Sequence, residues 1–125
     1  MTKNYVQTLV YKQHETDTFA AVLKNNGVGV DLTQYTIRRF HMNDGGEHAY
    51  TLTCTLNCTY QGNSVSGAQG GITVTVDRTS SSVTGDFDGE FEIGVTENNV
   101  EKTDRFPSGE NYYKIRIIES VQGAT

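Results

Sequence analysis

The stretch from residue 50 to residue 60 alternates apolar and polar side chains without a break. Its apolar positions are Tyr50, Leu52, Cys54, Leu56, Cys58 and Tyr60, and its polar positions are Thr51, Thr53, Thr55, Asn57 and Thr59. Because successive side chains of a β-strand point to opposite faces of the sheet, this period predicts a strand with one buried face and one threonine-rich, solvated face. The stretch is longer than most strands, so we expect a bend or a bulge within it.

The rest of the chain has the same strand character. Segments of strand composition occupy residues 4–12, 18–24, 35–42, 72–77, 87–95 and 112–120. They are rich in the β-branched and aromatic residues that favour strands, and no segment has a helical period. About seven strands separated by turns predict an all-β, immunoglobulin-like β-sandwich of antiparallel strands, with a closed barrel as the alternative. We expect two alternating strands to line the interior with Tyr50, Leu52, Cys54, Leu56, Ile72, Val74 and Val76.

The connections between these strands carry turn residues. Asn43–Gly46 is a strong turn signal, Gln61–Gly70 has the composition of a flexible loop, and Thr79–Gly85 is a serine-rich turn. Glu97–Gly109, which contains the single proline Pro107, is predicted to be a long polar connection.

Length and charge restrict the classes of function. At 125 residues the chain is predicted to be one domain over residues 1–125. Its formal net charge is −5 and its 10 basic residues are scattered along the chain, which disfavours a nucleic-acid partner. No apolar run approaches the ~18 residues of a membrane-spanning helix, and residues 1–14 lack the apolar segment of a signal peptide. We therefore expect no membrane association and production in a cytoplasm.

One segment combines a tight turn with a capped loop. Asn25–Gly27 contains the Asn-Gly pair that supplies the positive φ angles of a tight hairpin. Asp31 and Thr33 can each bond a nearby backbone amide and close a small local turn. Leu32, which lies between them, is then expected to point into the core.

The order of these features resembles a known family. Asp17-Thr18 leads into an apolar run, the Asn-Gly turn follows, and Val30–Thr33 leads into the next strand. This order over Asp17–Ile37 resembles the N-terminal domain of the upper baseplate protein of tailed phages and related immunoglobulin-like modules of phage virions. Three later segments are similar to the same family: Asp88–Ile93, Phe106–Gly109 and Tyr112–Ile117.

The resemblance implies a non-enzymatic structural protein of a virion, assembled in the host cytoplasm and requiring no cofactor. Its partners would be baseplate, tail or capsid subunits, or further copies of itself. In the family such domains fix receptor-binding parts to the tail and continue into helical or fibrous extensions. No such extension occurs in residues 1–125, so capsid decoration or a place at the head–tail connector stands beside the baseplate as a location. The alternative from another class is a soluble β-sandwich binding module for carbohydrate or calcium.

Four side chains that bind zinc in other proteins lie close in sequence: His41, His48, Cys54 and Cys58. Structural zinc sites draw paired ligands from tight turns. Residues four apart on a straight strand are about 13 Å apart, which is too far for a shared ion or a disulfide. We therefore predict that both cysteines are reduced, metal-free hydrophobic residues.

An acidic row, Asp86, Asp88, Glu90 and Glu92, offers the oxygen ligands that calcium prefers. Phe91 and Ile93 continue a strand period through the same segment, which does not match a calcium-binding loop. We predict that the row is the solvated face of a strand.

No arrangement typical of an active site is present in the sequence. His14 lies near Glu15 and Asp17, but a catalytic group also needs a nucleophile with a placed base, and the loop serines lack a nucleophile elbow. The sequence has neither a phosphate-binding loop nor a dinucleotide fingerprint. Asn57-Cys58-Thr59 matches a glycosylation sequon, which has no use without export. We predict no catalytic, cofactor-binding or metal-ligating residues.

Contacts with a partner are expected at the edge strands, the loops and the ends of the chain. Tyr112 and Tyr113 point to opposite faces of one strand, so one of them is expected at the surface or in an interface. Met1–Asn4 and Gln122–Thr125 are further candidate contact segments.

Overall fold

A computed structural model describes residues 3–121, and this part of the chain is almost entirely β-structure. Its strands are β1 (Asn4–Lys12), β2 (Asp17–Val22), β3 (Lys24–Asn25), β4 (Val28–Gly29), β5 (Ile37–Asn43), β6 (Ala49–Leu56), β7 (Cys58–Tyr60), β8 (Asn63–Val65), β9 (Gly71–Val76), β10 (Gly85–Glu97), β11 (Val100–Phe106) and β12 (Asn111–Ile118). Two short 3₁₀ turns cover Leu32–Gln34 and Gly67–Gln69. Over residues 3–121, neither turn has the length or the apolar character of a membrane-crossing helix.

The large sheet has the order β1-β12-β10-β5-β6-β9-β2, and β11 pairs with β10. Strand β6 passes between the two layers, because Ala49–Leu52 pair with β5 whereas Thr53–Leu56 pair with β9. The first layer thus contains β1, β12, β10, β11, β5 and the start of β6, and the second contains the end of β6, β9 and β2. The predicted all-β sandwich is confirmed, with its two layers joined through one strand.

One strand pairing differs from the expected antiparallel pattern. β1 runs parallel to β12, in a register from Asn4 opposite Asn111 to Lys12 opposite Ile118. The register shifts at Val6, where β1 has one extra residue. This bulge explains why alternation in β1 is difficult to recognise in the sequence.

The predicted interior is confirmed. Ile72, Val74 and Val76 are fully buried and Leu52 nearly so, while Tyr50, Cys54 and Leu56 are partly buried against the same core. The threonines that alternate with them on β6 are exposed. The period of two therefore identified the correct face of each strand.

An aromatic cluster lies at the centre of the core. Phe40 of β5 has its ring centroid 4.8 Å from that of Phe91 on β10 and 5.1 Å from that of Phe19 on β2. Tyr113 of β12 completes the cluster, with its centroid 5.6 Å from that of Phe91. Gly89 leaves space for the Phe40 ring, because a Cβ atom at position 89 would lie 2.3 Å from Cζ of Phe40.

The expected bend in the alternating stretch is present at Asn57. This residue has a φ of 73° and separates β6 from β7. Its side-chain oxygen accepts a hydrogen bond from the Gly67 amide at 2.9 Å, which holds the following segment against the sheet. The prediction of a flexible loop over Gln61–Gly70 was wrong in part, because β8 forms a hairpin with β7 and a 3₁₀ turn follows.

The prediction of a long polar connection over Glu97–Gly109 was also wrong in part. Most of it is strand β11, which pairs with β10 from Phe91 opposite Phe106 to Glu97 opposite Val100. Asn98 and Asn99, with φ angles of 51° and 63°, form the two-residue turn between the strands. The alternation rule missed β11 because most of its side chains are exposed.

The predicted hairpin and capped loop are both present. Asn26 and Gly27 have φ angles of 53° and 80° and connect β3 to β4. The Asp31 carboxylate accepts a hydrogen bond from the Thr33 amide at 3.1 Å, and Leu32 is fully buried. The Thr33 hydroxyl donates to the Asp31 carboxylate and does not bond a backbone amide as expected.

Candidate functional site

The acidic row of β10 lies on the outer face of the first layer, and cations from β5, β11, β12 and the residue before β1 face it. Asp86 is paired with Arg116 of β12 at 2.9 Å, and Asp88 with Lys3. Glu90 lies 3.8 Å from Arg105 of β11. The predicted location on one strand face is correct. The carboxylates of the row are, however, paired with lysine and arginine side chains, so the face is not a surface of unpaired negative charge.

Glu92 is the most buried carboxylate of this row, with its side chain 11% exposed. His41 Nε2 lies 2.8 Å from its Oε1 and donates to it, and Arg39 Nη1 donates to the same oxygen at 3.2 Å. The Thr103 hydroxyl donates to the other oxygen at 3.1 Å. The hydrogen bond from His41 and those from Thr103 and Arg39 outweigh burial, and they lower the pKa of Glu92 to about 2.

Arg39 also joins this network to the edge strand β11. Its two terminal nitrogens donate to the two carboxylate oxygens of Glu101 at 3.2 and 2.9 Å, a bidentate geometry. The pairing lowers the pKa of Glu101. Arg39, Glu92 and Glu101 thus connect three adjacent strands, β5, β10 and β11, across their outer face.

The four zinc-capable side chains do not form a single cluster. His41 contacts Glu92 and Thr51, whereas His48 Nδ1 lies 3.0 Å from the Asp44 carboxylate in the β5–β6 turn. Among residues 3–121 no three histidine, cysteine or acidic side chains are arranged to hold a metal ion. That the chain binds no metal stays a prediction.

Both cysteines are free thiols. Cys54 is partly buried, and burial raises the pKa of its thiol to about 12. Cys58 is buried, and its Sγ donates to the carbonyl of Ala21 at 3.5 Å. A protonated, enclosed thiol is a poor nucleophile and a poor metal ligand.

The group around His14 forms a structural contact between two turns. The His14 amide donates to the carbonyl of Ser81 at 3.1 Å, and the buried Ser81 hydroxyl donates to the carbonyl of Glu15 at 2.7 Å. Gln13 adds a bond to the carbonyl of Ser82 at 2.8 Å. Sequence reasoning missed this contact because a serine-rich turn gave no sign that Ser81 is buried.

Strand β1 is largely exposed, and Tyr11 is its one buried residue. It lies at one end of the sheet, and over residues 3–121 its outer backbone edge has no strand partner. Val6 is 54% exposed and Val10 is 52% exposed. Between Asn4 and Lys12, Lys12 is the only charged residue.

The two candidate tyrosines occupy different environments, as predicted. Tyr113 is buried in the aromatic cluster, and Tyr112 is partly exposed on the opposite face with Lys3 Nζ 5.7 Å from its ring centroid. Of the candidate terminal segments, Met1–Thr2 and Gln122–Thr125 lie outside the described residues.

A polar cleft of about 620 Å³ lies beside the β3–β4 hairpin. Lys24, Asn25 and Asn26 form one wall, and Asp104–Gly109 and Asn111 form the other. Its amide, carboxylate and guanidinium groups can bond a hydroxylated ligand, and the partly buried Phe106 ring offers an apolar surface.

No protein-family model and no curated protein sequence matches this chain. Among solved structures, the N-terminal domain of phage TP901-1 ORF48 has a similar fold, with a TM-score of 0.58 and 9% sequence identity. The match covers 95% of this chain and 98% of that one. The resemblance noted in the sequence is therefore confirmed at the level of the fold.

Proposed function

We propose that this chain is a non-enzymatic structural protein of a tailed-phage virion. It would act as an attachment or decoration module in the baseplate or tail, on the capsid surface, or at the head–tail connector. The observation that carries the proposal is the fold shared with the N-terminal domain of ORF48 over nearly the whole of both chains. ORF48 is the upper baseplate protein of its phage. Residues 1–125 would then be one domain that functions by binding its neighbours.

The distribution of charge supports a protein partner. Lys3, Arg39, Arg105 and Arg116 are held by carboxylates of the same chain, and the net charge is −5. With these four cations paired and the net charge negative, the chain has no excess of positive charge to follow a phosphate backbone or an anionic membrane. We therefore expect other virion proteins as partners, and neither nucleic acid nor a membrane.

The internal use of the polar side chains supports a non-enzymatic role. Three side chains have the chemistry of catalytic groups: Glu92, His41 and Ser81. Each of them forms hydrogen bonds within the protein, to a neighbouring strand or turn. A general base must instead be free to reach a substrate proton. Within residues 3–121, the outer edge of β1 has no strand partner and the polar cleft is open to a ligand.

The direct test is to add the purified chain to virions or capsids that lack it. Stoichiometric, saturable binding at a symmetry-related site, counted by quantitative mass spectrometry and located by electron microscopy, supports the proposal. Removal of residues 1–3 or 122–125 should weaken binding if the terminal segments are part of the contact. Absence of binding to any virion part would contradict the proposal.

The polar cleft favours a second candidate function, a soluble binding module for carbohydrate. Glycan-array screening followed by calorimetry would test it, with Asp104→Ala expected to abolish any glycan binding and Asp44→Ala, outside the cleft, as the control. Calcium is less favoured as the ligand, since the carboxylates of the acidic row are already paired with cations.

A further inference from the structure

We propose that the free edge of β1 pairs with β1 of a second copy of this chain, antiparallel, with Val10 on the two-fold axis. The inference extends the proposed assembly role by naming one partner and the strand that binds it. It would extend the first layer of each copy into one continuous sheet across the dimer. An interface of this kind is isologous, because the same residues contribute on both sides.

The backbone groups of β1 alternate in direction along the strand. The Gln13 amide donates to the carbonyl of Ile118 at 2.8 Å, and Lys12 lies opposite Ile118 in the β1–β12 register. Backbone groups of successive strand residues point to alternate edges. The register is regular from Gln7 to Lys12. Thr8, Val10 and Lys12 therefore direct their N–H and C=O groups away from β12, toward the free edge.

The free edge of β1 also differs from a protected edge in its composition. Charged side chains are a common protection against strand pairing at an exposed edge. A second exposed edge strand of the first layer, β11, carries Glu101, Lys102, Asp104 and Arg105. In contrast, residues 4–11 of β1 carry no charge and include two half-exposed valines. β1 therefore lacks the charge that protects β11.

The register of the proposed pairing places compatible residues opposite one another. With Val10 on the axis, Val10 of one copy lies opposite Val10 of the other. On each side of the axis, Thr8 of one copy lies opposite Lys12 of the other. No like charges are opposed, and all three residues offer the backbone groups that an antiparallel ladder needs. On the core-facing side, Leu9 lies opposite Tyr11, so apolar residues meet there as well. Because each residue from Thr8 to Lys12 meets a compatible residue of the same strand, β1 of a second copy is the partner that this register favours.

The pairing uses the regular half of one strand and is therefore a small interface. Contacts much below ~1,200 Å² of buried area are weak on their own. We expect a weak dimer of the isolated chain, which repeated copies on a symmetric particle would reinforce by avidity.

The test is sedimentation of the full chain over a concentration series reaching the millimolar range. The unmodified protein should form dimers, and Val10→Lys or Val10→Glu should each raise the dimer dissociation constant about tenfold or more by opposing like charges on the axis. An equimolar mixture of the two variants should dimerise again, because a lysine then faces a glutamate. Val100→Lys, at an equally exposed valine on β11, is the matched control and should leave dimerisation unchanged.

Circular dichroism of each variant checks that it is folded. We expect the Val10 variants to fold, because the Val10 side chain is half-exposed. A strictly monomeric protein, a dimer insensitive to the Val10 variants, or a mixture that stays monomeric would each overturn the inference. Dimerisation is measured on the purified chain alone, so its result is independent of the virion-binding experiment. A chain that dimerises through β1 but binds no virion part would refute the proposed function alone, and a monomer that binds virions would refute only the β1 pairing.

Discussion

At the scale of single residues, Glu92 shows how a carboxylate is kept ionised in a partly enclosed position. Its charge is stabilised by three hydrogen bonds from the two neighbouring strands: His41 and Arg39 donate from β5, and Thr103 donates from β11. Removing one partner from such a network leaves the others imperfectly paired. Glu92 is therefore a point where pH and the stability of the first layer are linked.

The pH dependence follows from the direction of this shift. The pKa of Glu92 falls from an ordinary value of 4.5 to about 2 on folding. A carboxylate with a depressed folded pKa contributes stability that is fully present above the unfolded pKa and is lost as pH falls through the folded pKa. We expect the free energy of unfolding to decrease from pH 4.5 toward pH 2.

Urea denaturation of the unmodified protein and of Glu92→Gln across this pH range measures the effect. The variant should be less stable near neutral pH and should show a shallower decline in acid. Glu90→Gln, whose nearest cation is 3.8 Å away, is the control and should keep the original slope. Parallel curves for the unmodified protein and Glu92→Gln would contradict the assigned role of Glu92.

The burial of Leu52 provides a second prediction at this scale. Leu52 is 4% exposed, whereas its neighbour Thr53 is exposed on the opposite face. Leu52→Ala should destabilise the protein by about 2–5 kcal/mol, the usual range for a core leucine. Thr53→Ala should stay within ~1 kcal/mol. Chemical denaturation compares them, and equal losses would mean that the two faces of β6 are wrongly assigned.

At the scale of elements, two-residue turns with positive φ recur along the chain. Asn26-Gly27, Gln61-Gly62 and Asn98-Asn99 each have positive φ at both residues, and each connects two paired strands. Such turns match the right-handed twist of the strands they connect. Hairpins formed by neighbouring strands therefore need few residues in their loops.

The Asn26-Gly27 turn is the most direct test of this geometry. Gly27 has a φ of 80°, and no atom lies within 4 Å of the position that a Cβ would take. Gly27→Val should therefore destabilise through backbone strain alone, by about 1–3 kcal/mol. Gly46→Val, at a turn glycine outside the positive-φ set, is the control and should have a smaller effect. An unchanged melting temperature for Gly27→Val would contradict the turn type.

Elements were predictable from the sequence where burial imposes a pattern. Strand β6 and strand β9 alternate because one face is buried, so their positions and facing followed directly from their residues. β11 has little buried surface, and its only local signal was the Asn98-Asn99 pair, which can occupy positive φ. The cation partners of the acidic row were also missed, because they depend on which strands become neighbours. That information lies in the tertiary register and not in any local pattern.

At the scale of the whole molecule, the aromatic cluster joins the two layers. Phe19 belongs to the second layer, whereas Phe40, Phe91 and Tyr113 belong to the first. Strand β6 is shared between the layers as well. Neither layer can separate from the other without exposing these rings, so we expect a single cooperative unfolding transition.

The measurement is thermal unfolding followed by far-ultraviolet circular dichroism, for strands, and near-ultraviolet circular dichroism, for tyrosine packing. The two curves should coincide. Phe19→Ala should shift both together, with a loss of about 3–5 kcal/mol. Val28→Ala, at a 70% exposed valine of β4, is the control and should shift neither. Curves that separate would show that the layers unfold independently.

The parallel pairing of β1 with β12 has a mechanical consequence. Because the strands run side by side in one direction, Asn4 and Ile118 lie at opposite ends of this ladder, about 25 Å apart at 3.3 Å per residue. A force that pulls these two residues apart acts along the strands and loads the interstrand hydrogen bonds in shear. The bonds must then yield together, whereas an antiparallel hairpin pulled from its open end would unzip one bond at a time. We therefore expect the β1–β12 ladder to resist rupture when tension is applied between these two residues.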